Sequence, residues 1–226
     1  MEDADLAFLL TDLVKMLQSM KVGTERIREI VLSLRNFSRL DEAEFKAVDI
    51  HEGIENTLVI LRHRFKVRAE RPEIQVVKDY GPLPLVECYA GQLNQVFMNI
   101  LSNAIDAFEE ANQGQSFEAL VAEPNTLWIH TAVVGQDRVQ ITIADNGSGI
   151  TAIAQAHLFN PFFTTKAIGK GTGLGLSISY QIVTEKHGGQ LSCHSTPGQG
   201  AKFVIEIPIR QATPEQSQRQ PSSSAP

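Results

Sequence analysis

The stretch GKGTGLGLS places Gly169, Gly171, Gly173 and Gly175 at alternate positions and runs directly into an amphipathic segment. Glycine loses more backbone freedom on folding than any other residue, so such a run marks a sharp bend or a close approach to a ligand. It leads through Leu174 and Leu176 into LSISYQIVTEK, a predicted helix stopped at Gly188 and Gly189, and the unpaired N–H groups of a helix start favour an anion. Thr164, Thr165 and Lys166 precede the run, and Lys170 and Thr172 lie within it. Backbone donors, hydroxyls and cations together suit a lid over a triphosphate; a flexible surface loop is the plainer reading. The run is not a Walker loop, because no Gly-Lys-Ser/Thr closes it.

A second cluster sits on GQLNQVFMNILSNAIDAF, residues 91–108. At helical spacing Leu93, Phe97, Ile100, Leu101, Ala104 and Phe108 gather on one side, and Gln92, Gln95, Asn99, Asn103 and Asp106 on the other. A solvated face usually carries Lys, Glu and Arg, whereas this one spends two mediocre helix formers, Asn99 and Asn103, one turn apart. An amide oxygen is a neutral, hard ligand suited to Mg²⁺, which keeps several waters and bridges to phosphates. The alternative is an exposed polar stripe.

A third candidate is the carboxylate ending RVQITIADNGSGI, where alternation through Val139, Ile141 and Ile143 breaks at Asp145-Asn146-Gly147. Asn-Gly is a hairpin signal. Gly149 follows, however, and TAIAQAHLFNPFF is not an alternating return strand. A buried carboxylate at a strand end can accept from an exocyclic amine such as that of adenine, with the glycines leaving room for the ring.

These residues need elements to hold them. The segments EIQVVKDY, TLWIHTAVV, RVQITIAD, QLSCHST and AKFVIEIPI read as strands, interspersed with helices, which predicts a sheet covered on one face. Residues 41–57 read as a connector into a helix ending near Arg68, with a solvated basic end, and residues 109–126 as an inserted loop. From Leu6 to Phe37 apolar residues recur in steps of three and four, predicting a long helix over about residues 3–39 whose seam requires a partner helix. The polar, proline-rich end from Gln211 predicts a disordered tail.

Composition narrows the partners. With 20 basic and 26 acidic residues, net charge −6, the chain lacks the positive field that nucleic acid requires. Cys88 and Cys193 form no Cys-x-x-Cys pair, and both are expected reduced and buried. The acidic start and the lack of a long apolar run predict a cytoplasmic chain without membrane contact.

In order along the chain, NQVFMNILSNAIDA resembles the asparagine box of the sensor histidine kinases of two-component signalling. IADNGSGI resembles their first glycine box, LFNPFFTTK their phenylalanine box, GKGTGLGLSI their second glycine box and STPGQGAKFVIEIP their closing glycine motif. The resemblance implies an α+β fold: the two-layer α/β sandwich of the histidine kinase and gyrase-type ATPases, preceded by a long helical dimerisation segment. It divides the chain into 1–45, a partial dimerisation domain; 46–210, the ATP-binding catalytic domain; and 211–226, the tail. It implies ATP and Mg²⁺ as cofactors, with Asn103 as metal ligand and Asn99 beside it facing the phosphates. Asp145 would take the adenine amino group within the Gly147, Gly149 and Ile150 loop. Thr164, Thr165, Lys166 and Lys170, with the run Gly171, Thr172, Gly173, Leu174, Gly175 and Leu176, would cradle phosphates. Phe159, Phe162 and Phe163 would pack the lid hinge.

Two positions depart from the pattern. Asp106 stands where the family often has a cation, and Ala201-Lys202 where small hydroxyl residues are common. The phosphoacceptor motif, His-Glu followed by Asn/Thr-Pro, is not matched: HEGIENTL at His51 lacks the proline and follows the seam helix. The expectation is a catalytic core that transfers the γ-phosphoryl to a histidine outside this chain, for relay to a receiver-domain aspartate, as a homodimer through the N-terminal helix. The alternatives are a stand-alone ATPase or serine kinase on the same sandwich, and a dimerisation scaffold with a vestigial pocket.

Overall fold

The computed structural model describes residues 45–166 and 173–210, together with Leu13, Met16 and Met20. These last three are helical and more than half exposed, at 51%, 57% and 62%. The remainder of the predicted seam helix and the predicted tail lie outside the described residues, as do Lys170, Gly171 and Thr172.

The chain order is β1 (Lys46–Val48), α1 (Ile50–Phe65), β2 (Gln75–Tyr80), β3 (Val86–Cys88), α2 (Ala90–Ala111), α3 (Phe117–Ala122), β4 (Thr126–Val134), β5 (Arg138–Asp145), α4 (Ala152–His157), α5 (Gly175–Gln181), a π-helical turn (Ile182–Lys186), β6 (Gln190–Ser195) and β7 (Ala201–Pro208). The main sheet runs β2-β4-β5-β7-β6. Only β2 and β4 pair in parallel, as a long crossover through α2 allows; the other pairs are antiparallel. All five predicted strands form this sheet.

Strict alternation decides which face is covered. Val139, Ile141 and Ile143 of β5 and Phe203, Ile205 and Ile207 of β7 are buried against Leu93, Phe97, Ile100, Leu101 and Phe108 of α2. The opposite face carries exposed Trp128, His130 and Lys202, giving two layers. α1 adds Ile54, Leu58 and Leu61 to the same core. The apolar side of α2 is the one expected from spacing.

Several boundaries differ from expectation. α1 starts at Ile50 because Asp49 accepts the N–H of His51 at 2.8 Å. It stops at Phe65 rather than Arg68, since Lys66 turns extended at ψ 157°. Arg71 is 3% exposed, with its guanidinium donating to the carbonyls of Arg64, Phe65, Lys66 and Pro72. The basic cluster is therefore partly an internal cap. The predicted loop over 109–126 holds the end of α2 and the short α3, capped by Ser116. Strands β1 and β3 were not expected; they pair antiparallel beside α1. Cys88 is buried, whereas Cys193 is only partly so; burial pushes both thiols up to about 12, with the charge of Asp145 adding to the effect at Cys193.

Candidate nucleotide site

Between α2, the end of β5, α4 and the start of α5 lies a cavity of about 400 Å³, lined by Asp145, Asn103, Thr164, Thr165 and Lys166 among others. Ile150, Gly149, Gly173, Gly175 and Leu176 line it as well. Phe163, expected as hinge packing, also lines it, and so do Ala107, Glu110, Ser148, Ala201 and Phe203. Small residues such as Ala107 carry no chemical signal in sequence, which is why spacing alone overlooks them.

Asp145 is 7% exposed at the end of β5. Its Oδ1 accepts the N–H of Gly147 at 2.9 Å and of Ala201 at 3.3 Å. The β5–β7 register, with Ala144 opposite Lys202, brings Ala201 to it. Burial raises the acid above its usual range, and the two N–H bonds only partly oppose this. Neither bond uses Oδ2, so the carboxylate retains an acceptor for a ligand donor within the cavity. That is the fit expected of a purine amine.

The Asn-Gly hairpin does not form: β5 pairs with β4 and β7. Asn146 instead accepts the N–H of Thr126 at 2.7 Å and donates to the Pro124 carbonyl at 3.1 Å. The glycines answer to packing more than to ring space. Gly149 has φ +70°, and a Cβ there would fall 2.2 Å from the Thr196 carbonyl oxygen. At Gly147 a Cβ would come 2.9 Å from the Ala107 methyl. Gln155 secures the loop by donating to the carbonyls of Ile150 and Ser195 at 2.9 Å each.

On α2 the two asparagines separate. Asn103 lines the cavity, and its Oδ1 accepts from Lys166 Nζ at 3.2 Å. Asn99 is not among the lining residues; its Nδ2 donates to the Gly175 carbonyl at 2.9 Å and to Ser179 Oγ at 3.1 Å, fastening the start of α5. Asp106 holds Arg64 at 2.6 Å and Lys166 at 2.5 Å. Burial would raise its carboxyl, but these two cations hold it below the usual range. Among the described residues no three His, Cys, Asp or Glu side chains cluster around a metal position. The donor set suits only a metal that keeps most of its own waters and phosphate ligands, to which Asn103 Oδ1 could add one neutral oxygen.

None of the six histidines lines the cavity. His51 is stacked on Tyr80 at 4.4 Å and its Nε2 lies 2.9 Å from Thr131 Oγ1. His187 is fully buried beyond the π-helical turn; its Nδ1 lies 2.7 Å from the Ile182 carbonyl and its Nε2 accepts the N–H of Tyr89 at 3.0 Å.

Residues 89–211 match the family described as histidine kinase-, DNA gyrase B-, and HSP90-like ATPase. The chain belongs to that family. Its catalytic domain is of the sensor histidine kinase kind, as its relatives agree. It is 34% identical over 198 residues to the two-component sensor PprA of Pseudomonas aeruginosa, covering 85% of this chain and 20% of that protein. It is 30% identical over 186 residues to the sensor histidine kinase ZraS of Klebsiella oxytoca, covering 82% of this chain and 36% of that one. The chain thus spans well under half the length of these relatives. The catalytic domain of histidine kinase ThkA superposes with a TM-score of 0.56 at 27% identity, over 74% of this chain and 96% of that one. Full-length ShkA, solved in complex with AMPPNP, superposes with a TM-score of 0.60 at 25% identity, over 82% of this chain and 36% of that one.

Proposed function

We propose that this chain binds Mg·ATP in the cavity at the end of β5 and presents the γ-phosphoryl to a histidine that is none of its own six, for relay to a receiver-domain aspartate. The single observation that carries the reading is Asp145: a buried carboxylate with Oδ1 fixed by two backbone N–H groups, Oδ2 unused by either, in a cavity large enough for a nucleoside. An acceptor at that point selects the amine of adenine over the carbonyl of guanine. The AMPPNP bound by the similar ShkA supports the same class of ligand.

Magnesium, when bound, neutralises phosphate charge. Asn103 would hold it, while Lys166, Thr164 and Thr165 would meet the phosphates. Residues Lys170, Gly171 and Thr172 would complete the phosphate cradle with Gly173, Leu174, Gly175 and Leu176. Phosphoryl transfer needs placement and charge stabilisation more than covalent chemistry. At position 99 an amide bonded to Gly175 and Ser179 favours transfer over water activation. The side chains of His51 and His187 are tied into the fold, which supports an acceptor elsewhere. A homodimer through the N-terminal helix and a cytoplasmic location belong to the same proposal; no described helix is long and apolar enough to cross a membrane.

Calorimetric titration with ATP and GTP analogues in magnesium tests the ligand. Tight binding of the adenine compound alone is expected; equal affinity, or none, overturns the reading. Incubation with labelled ATP tests the acceptor: an acid-labile phosphohistidine formed on this chain would refute a histidine elsewhere.

A further inference from the structure

Asp106 lies on α2 three residues beyond Asn103, and each of its oxygens holds a different cation. Oδ1 accepts from Arg64 Nη2 at 2.6 Å, and Oδ2 from Lys166 Nζ at 2.5 Å. Arg64 comes from α1 and is braced again by Glu109 at 3.2 Å. Lys166 comes from the segment entering the glycine run, where Thr164 Oγ1 accepts its backbone N–H at 3.2 Å. The same ammonium reaches Asn103 Oδ1 at 3.2 Å. Lys166 lines the cavity, whereas Asp106 is not among its lining residues.

We infer that Asp106 is a positioning residue that holds Lys166 against the Asn103 amide oxygen, in competition with a metal there, and yields it to the phosphates when nucleotide and metal enter. The inference rests on the nucleotide reading above. Three features carry it. The ammonium uses the Asn103 oxygen, so a metal that took that oxygen would compete with Lys166 for it and repel it. A polyphosphate offers Lys166 more negative charge than a single carboxylate does. Asp106 also survives the exchange, because Arg64 still neutralises it from the other side; a half-buried carboxylate left without either cation would resist release. The acidic residue at a position where a cation is common is thus accounted for: the cation comes from Lys166, and Asp106 sets where it waits.

The test is a double-mutant cycle on Asp106→Asn and Lys166→Met, reading affinity for a non-hydrolysable ATP analogue by calorimetry, with excess magnesium and with chelator. Asp106→Asn should bind the metal-free analogue about tenfold more tightly than the unsubstituted chain and respond less to magnesium. That gain should vanish when Lys166 is Met, because the parked cation is then gone. A merely structural Asp106 would lower the melting temperature and leave metal-free affinity unmoved. A gain that persists in the Lys166→Met background is a general charge effect. Either result overturns the inference while leaving nucleotide binding intact; failure of the unsubstituted chain to bind any nucleotide overturns both. Asp106→Ser, which keeps an acceptor for Arg64, carries the same expectation if the Asn variant does not fold.

Discussion

The backbone oxygen of Asp145 occupies the space a side chain on Gly200 would need: a Cβ at Gly200 would stand 1.8 Å from it. Gly200 also holds φ +79°, and Ser195 Oγ donates to its carbonyl at 2.6 Å. The turn before β7 thus presses directly on the residue that carries the site, and Ala201 delivers its N–H to Asp145 from there. Gly200→Ala should cost about 2–4 kcal/mol of stability and weaken nucleotide binding with it. Gly198, at φ +77° with nothing within 4 Å of its Cβ position, is the control. There Ala should cost only about 1–2 kcal/mol, from backbone strain alone. Thermal melting of the two variants separates crowding from conformation.

Asp145 pits stability against binding. Its folded-state acid is raised, so between the ordinary 3.8 and that raised value the folded protein binds more protons than the unfolded chain. Stability therefore falls as pH rises through this window, and above it the full cost of the buried charge is present. Asp145→Asn keeps an acceptor for Gly147 and Ala201 but turns an N–H₂ toward the cavity. The variant should melt at or above the parent at neutral pH, and its advantage should shrink as pH falls toward 4. Adenine nucleotide affinity should drop roughly 10- to 100-fold, since two donors then face each other. Melting curves against pH and calorimetry check the two halves separately.

His187 reports pH in the opposite sense. Burial lowers its pKa below 6.5, with the Ile182 carbonyl bond working against the shift. Between that lowered value and 6.5 the unfolded chain binds more protons than the folded one, so stability rises with pH there. Protonation would also break the Tyr89 N–H bond to Nε2 at the entry to α2. The stability of the parent should decline as pH falls from about 7 toward 5, as unfolded histidines titrate. His187→Gln should melt lower at neutral pH but follow a flatter profile. The difference between the two profiles, rather than either alone, isolates this residue from the other five histidines.

Much of this was visible in the residues themselves. The two faces of α2, the five main strands and the carboxylate ending β5 follow from periodicity, which is local. What periodicity misses depends on distant partners. The three-residue β1 and β3 exist only through their pairing with each other, though α1 and β2 lie between them in the chain. Arg71 reads as solvated until its carbonyl cage is seen, and Lys166 reads as a lid cation until Asp106 is found beside it. Asn99 and Asn103 are equivalent by spacing. Only the placement of α5 turns one toward a helix start and the other toward the cavity.

That division makes Asn99 the last testable point. Its amide hydrogens reach the Gly175 carbonyl and Ser179 Oγ, and Ser179 Oγ in turn donates to the same carbonyl at 2.8 Å. The first turn of α5, which carries Gly175 and Leu176 on the cavity wall, is therefore moored to α2 by this side chain. Asn99→Ala should loosen that wall, costing about 1–3 kcal/mol from the two lost hydrogen bonds between α2 and α5, and should weaken nucleotide binding severalfold. Asn99→Asp should be no better, because its carboxylate cannot donate and would face the Gly175 carbonyl. Ser179→Ala, which removes both Ser179 bonds but only one of the two that moor α5 to α2 and leaves Asn99 on Gly175, should lose less of both. If the role of Asn99 is mooring, nucleotide affinity and hydrogen exchange across Gly175–Gln181 will change together over the three variants. Affinity that falls with unchanged exchange would instead place the Asn99 amide on the phosphates.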